Sequence, residues 1–63
     1  MTGLERIRQS RKISRRELVE LLYRDKYIIS ATTIYNHERG KHIERETLER
    51  CARVLGVPVG KLL

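Results

Sequence analysis

Apolar residues recur along this chain at intervals of three and four, in short runs separated by polar ones. Leu4 and Ile7 form the first such line, Leu18, Val19 and Leu22 the second, and Leu48, Cys51, Ala52 and Leu55 the last. That spacing places each set on one side of a helix, which turns every ~3.6 residues. The first two lines each begin on a helix-starting capping box, T-x-x-E at Thr2–Glu5 and S-R-R-E at Ser14–Glu17. Helix 1 is therefore expected to end near Lys12. Helix 2 is expected to run to about Asp25 or Lys26, because Tyr23 and Tyr27 continue its face and no Gly or Pro stops it. Tyr27–Ile29 reads as the connection that follows, with a short strand as the alternative.

The next stretch, Ser30–Gly40, reads S-A-T-T-I-Y-N-H-E-R-G. It opens on a residue type that caps helix N-termini and closes on a helix-terminating glycine, so helix 3 is expected from Ala31 to Arg39. Ile34 and His37 supply a side to bury. Ala31, Thr32, Tyr35 and Asn36 supply the other, which is small or hydrogen-bonding and carries no charge. Lys41–Glu44 is a loop, helix 4 runs from Arg45 to Leu55, and Gly56 stops it. Pro58 suits the start of a last short helix, Val59–Leu63. The expected fold is all-α, a compact bundle of five short helices.

Sixty-three residues make one domain, 1–63, and so small a chain hides only ~60% of its unfolded surface. The single cysteine leaves no internal disulfide framework and fits a reducing compartment. No stretch approaches a membrane span or a signal-peptide core, so a cytoplasmic, nucleoid-associated protein is expected. The formal net charge of +6 favours a polyanionic partner, nucleic acid before acidic membrane. Trp and Phe are absent, which argues against the aromatic-rich stripe of a membrane-surface helix. Arginines crowd the first third of the chain, and Arg39, Lys41 and Arg45 flank helix 3. A short helix with a neutral polar face inside a basic chain suits the edges of DNA bases.

With these residues in place, the chain resembles the phage-repressor type of helix-turn-helix, the lambda-repressor/Cro or XRE family. The run I-S-A-T-T-I-Y-N-H-E-R-G and the tail L-E-R-C-A-R-V-L-G-V-P-V-G-K-L-L carry the resemblance, with E-R-G at Glu38–Gly40 and L-G-V at Leu55–Val57 as landmarks. It implies five helices, with helices 2 and 3 forming the helix-turn-helix and helix 3 in the major groove. Carried across, it places Ala31, Thr32 and Asn36 at base edges with Tyr35 beside them, and Ser30 and Thr33 at phosphate. Arg15 would brace helix 3 and touch the DNA backbone, while Lys41 and His42 lie in a loop that meets phosphate. Arg8 and Glu38 would form a structural ion pair between helices 1 and 3.

Elementary chemistry supports several of these roles. Arg15, Arg16 and the free amides at the start of helix 2 make a natural phosphate clamp. Asn36 carries a donor and an acceptor on one planar amide, which matches N6 and N7 of adenine. Ala31 and the Thr32 methyl suit a thymine methyl. Double-stranded DNA is thus the expected partner, bound by a homodimer on a pseudo-palindromic site, with a transcriptional regulator, a repressor by family, as the function. Leu62 and Leu63 are exposed unless packed against helix 1 or a second copy, and they are the first candidates for self-association.

The chain also departs from the family. Y-R-D-K-Y-I between Leu22 and Ile29 adds about five residues to a turn that is usually tight and glycine-containing, so the resemblance does not carry the angle between helices 2 and 3. Lys12 and Arg15 stand for a usual glycine and glutamine, and His37 for a large apolar residue. Ile43 replaces a loop proline and Arg45 a core leucine, with Ile43 expected to fill the space Arg45 leaves. No metal site is expected from His37, His42, Glu38 and Cys51: the histidines are five apart, which does not place them on one helix face, and no C-x-x-C or H-x-x-x-H accompanies them. Cys51 reads as a core residue, and no cofactor, small-molecule ligand or enzymatic constellation is legible. An antitoxin-like or adaptor module binding an acidic protein is the alternative, distinguished by a pull-down that survives high salt without DNA. RNA binding would need stacking aromatics, for which only three tyrosines are available.

Overall fold

Both predicted capping boxes start a helix, and only the second closes in full. In the computed structural model, which describes residues 1–63, the Thr2 hydroxyl accepts from the Glu5 amide at 3.2 Å. Ser14 and Glu17 close theirs in both directions, at 3.0 and 2.9 Å. The helices are α1 (Gly3–Ser10), α2 (Arg15–Arg24), α3 (Ala31–Glu38) and α4 (Arg45–Leu55). The fold is all-helical, and Tyr27–Ile29 forms no strand. No helix is long and apolar enough to cross a membrane.

The expectation of five α-helices needs correction. The last element, Val59–Leu62, is a single 3-10 turn closed by Lys61 N–H donating to the Pro58 carbonyl at 3.0 Å. Four residues that include Gly60 are too few, and too poor in helix propensity, to wind further. Helices 1 to 3 also end one or two residues sooner than expected.

All four α-helices stop in the same way. Beyond each, one amide reaches back five residues: Ile13 to the Arg8 carbonyl, Tyr27 to Leu22, Lys41 to Asn36 and Val57 to Ala52, at 2.9–3.1 Å. This is the Schellman arrangement, which needs a left-handed residue just before that amide. Gly40 and Gly56 fill that place after α3 and α4, at φ 95° and 69°. After α1 and α2 it falls to Lys12 and Lys26, at φ 56° and 63°. The residues that follow, Ile13, Tyr27 and Val57, pack against the core, which is the apolar contact this motif favours.

The core joins all the elements through Leu4, Leu18, Leu22, Ile34, Cys51 and Leu62, all fully buried. Ile43 is buried with them, while the neighbouring Arg45 points to solvent. Leu62 lies against the start of α1, where any Cβ on Gly3 would collide with the backbone of Lys61 and Leu62. Leu62 is thus withdrawn from self-association, and only Leu63 stays exposed. Burial pushes the Cys51 thiol up to about 11, so at neutral pH it is a small core residue rather than a nucleophile.

Candidate nucleic-acid interface

The capped start of α2 carries Arg15 and Arg16 into the gap beside α3. The Arg15 Nε donates to Glu38 Oε1 at 2.8 Å, and its guanidinium lies over the Tyr35 ring, 4.9 Å from the centroid. Arg16 is exposed and has no carboxylate partner. The two adjacent arginines therefore differ. One is half-buried and fixed against α3; the other is a free cation at a helix N-terminus.

Glu38, the last residue of α3, is the joint of this region. Its carboxylate accepts from Arg8 Nε at 2.8 Å and Arg8 Nη2 at 3.2 Å, besides Arg15. Arg8 Nη1 donates in turn to the Ile13 carbonyl at 2.8 Å. Arg8 and Glu38 are both buried, and the hydrogen bonds compensate the desolvation that burial imposes on the two charges. Through one carboxylate, α1, its C-terminal turn, the start of α2 and the end of α3 are held together.

The outer face of α3 is open. Ala31 and Thr32 are exposed, and Asn36 is half-buried. Ser30 caps the helix by accepting from Thr33 N–H at 3.2 Å, and its hydroxyl also meets the Thr33 hydroxyl at 3.1 Å. These two side chains are therefore engaged with one another. The amides of Ala31 and Thr32 are the first two of the helix, where no intrahelical acceptor exists. Lys41 and His42 are exposed in the loop after α3. His37 is half-buried, with Nδ1 3.4 Å from the Lys41 carbonyl and Nε2 buried without a partner.

One residue of this face escapes a reading by residue type alone. Arg39, four residues after Tyr35, donates to the Tyr35 hydroxyl at 2.7 Å and lies 5.5 Å from the ring centroid. That hydrogen bond raises its pKa further above the usual arginine value. The only sequence signal for it is the i, i+4 spacing of an arginine after a tyrosine. Tyr23 and Tyr27 divide: Tyr27 is half-buried, exchanging a hydrogen bond with Thr47 at 2.8 Å, whereas Tyr23 is exposed. Tyr23 borders an open groove of ≈ 280 Å³ with Val19, Ile28 and Ile29.

The charges are distributed unevenly. Arg45, Arg50 and Arg53 on α4 all lie within 4 Å of a carboxylate, at 3.2 to 3.8 Å. Arg16, Arg39 and Lys41, around α3, have none within that distance. Unpaired cations also stand elsewhere, at Arg6, Arg11, Lys12, Arg24, Lys26 and Lys61, but these three flank a helix whose exposed face is neutral and hydrogen-bonding. Such a surface can hold a polyanion at its margins and present donors and acceptors at its centre. A family model described as helix-turn-helix matches residues 4–62. No curated protein and no solved structure matches the chain.

Proposed function

The chain belongs to the DNA-binding helix-turn-helix family of phage-repressor type, and from that membership we propose a sequence-specific regulator of transcription that binds double-stranded DNA through α3. The observation that carries the reading is the open, uncharged face of α3 ringed by cations that no carboxylate neutralises. In this reading Ala31, Thr32 and Asn36 meet base edges in the major groove, with Tyr35 beside them. Arg16, Lys41, His42, the α3 amides near Ser30 and Thr33, and the free edge of Arg15 hold phosphates. Residues 1–63 act as one cytoplasmic binding domain. One short helix reads only a few base pairs, so two copies on a pseudo-palindromic site supply the specificity, and occupancy of that site represses.

Binding titrations on a duplex selected from a random pool, and on a random duplex, test these roles. Asn36→Ala is expected to lose about 1–3 kcal/mol on the selected site and almost nothing on the random one. Lys41→Ala should weaken both alike and lower the slope of log K against log salt by about 0.9. Identical behaviour of the two variants would remove the distinction between base readers and phosphate holders.

A further inference from the structure

Ala31 and Tyr35 lie four residues apart on the outer face of α3, and Arg39, the residue that caps its C-terminus, continues the row. The row ends in a guanidinium that is anchored but not neutralised. Its Nη1 donates to the Tyr35 hydroxyl at 2.7 Å, and no carboxylate lies within 4 Å of it. The edge made by Nε and Nη2 is left without a partner in the chain. That edge has two parallel N–H donors, the fork that matches O6 and N7 of guanine.

We propose that Arg39 is a base reader specific for guanine and that Tyr35 is the residue that positions it. The inference rests on the DNA-binding reading above and extends it to a residue and a base. A free arginine on a helix end samples many rotamers, and a fork aimed by a second side chain loses less freedom on binding. The aim has a traceable origin. Tyr35 carries the Arg15 guanidinium 4.9 Å from its ring centroid, and Arg15 is tied at 2.8 Å to Glu38, whose side chain is 1% exposed. The reading edge is thus connected through Arg39, Tyr35 and Arg15 to the buried Glu38 carboxylate, which accepts three hydrogen bonds. Tyr35 contributes its hydroxyl to Arg39 rather than to a base.

The test is selection from a random duplex pool with the wild-type chain and with Tyr35→Phe, Arg39→Ala, Arg39→Lys and the Tyr35→Phe/Arg39→Ala pair. The wild type should fix a guanine at one position of each half-site. Arg39→Ala should lose that guanine and no other base, with affinity for the wild-type site falling roughly tenfold to a hundredfold, as for one bidentate contact. Arg39→Lys, which keeps the charge and lacks the fork, should lose the same guanine, and it serves in place of the alanine variant should that one unfold. Tyr35→Phe should relax the same position less, and the pair should do no more than Arg39→Ala alone. A uniform loss on all sequences would make Arg39 a phosphate contact, and a change at a different base on Tyr35→Phe would make Tyr35 a reader in its own right. Either result overturns the proposal while leaving DNA binding in place. A wild-type chain that enriches no sequence overturns both.

Discussion

Two carboxylates in this protein are each set between two arginines at the end of a helix, and they differ in almost everything else. Glu38, closing α3, accepts three hydrogen bonds from Arg8 and Arg15, and its side chain is 1% exposed. Asp25, the cap of α2, faces Arg53 at 3.6 Å and Arg50 at 3.8 Å, with 24% exposure and an Oδ2 that no donor reaches. The first pair of contacts has hydrogen-bond geometry and excludes water. The second is an attraction across a gap too wide for a hydrogen bond, and it leaves a buried oxygen without a donor. Counting ion pairs would score the two sites alike. Geometry separates a joint that fixes the binding face from a loose contact between α2 and α4.

The largest test of that contrast is removal of each acid in turn. Glu38→Ala leaves Arg8 buried without its counter-charge and should cost about 3–5 kcal/mol. Asp25→Ala removes an oxygen that no donor reaches, and Glu49→Ala removes the exposed partner of Arg45 at 3.2 Å on α4; each should cost ~1 kcal/mol or less. Urea midpoints measure all three. A loss of the larger size approaches the whole stability of a small domain, so the Glu38 variant is best compared in trimethylamine N-oxide, which strengthens burial equally in every chain. Matching midpoints for Glu38→Ala and Asp25→Ala would erase the distinction.

The same contrast divides what local sequence encodes from what it does not. Helices α2 and α4 follow from the S-R-R-E box, the apolar spacing and Gly56, because local chemistry alone decides them. The outer face of α3 follows from the helical repeat. Arg8 and Glu38 are thirty residues apart, and no local pattern joins them; the family resemblance does. The stack of Arg15, Tyr35 and Arg39 depends on how the start of α2 lies on α3, which spacing does not encode. The sequence leaves Leu62 open to cover by helix 1 or by a second copy, and no local pattern chooses between them because the cover, α1, lies at the far end of the chain. The ends of α1 and α2 escape a sequence reading for a different reason: lysine carries no signal for the left-handed conformation that Lys12 and Lys26 adopt.

Lys26 provides a smaller test, on the looser side of the comparison. It follows Asp25 directly and holds φ at 63°. A side chain there is strained where glycine is not, so Lys26→Gly should raise stability by about 1 kcal/mol, read as a higher urea midpoint with unchanged slope. The gain would come from the backbone, without any change at the Asp25–Arg50–Arg53 contact. A lower midpoint would mean that the Lys26 side chain contributes more than its strain costs.

Glu17 sharpens the contrast from a third position, being a carboxylate held by hydrogen bonds with no cation involved. It accepts from the Ser14 backbone amide at 2.9 Å at the exposed start of α2. The Ser14 backbone hydrogen bond, followed by the Ser14 side chain, lowers its pKa below the usual glutamate value. The ionised form is thus favoured in the folded chain. Its contribution is present in full above the unfolded pKa and is lost as pH falls through the folded one. Melting temperatures of the wild type and Glu17→Gln should therefore differ most at neutral pH and converge as the solution is acidified below the carboxylate range. The difference should be smaller than that of any other variant named, because the group is solvated on its outer side. A gap that stays constant with pH would show that the amide of glutamine replaces the carboxylate in the cap, leaving charge with no part in starting α2.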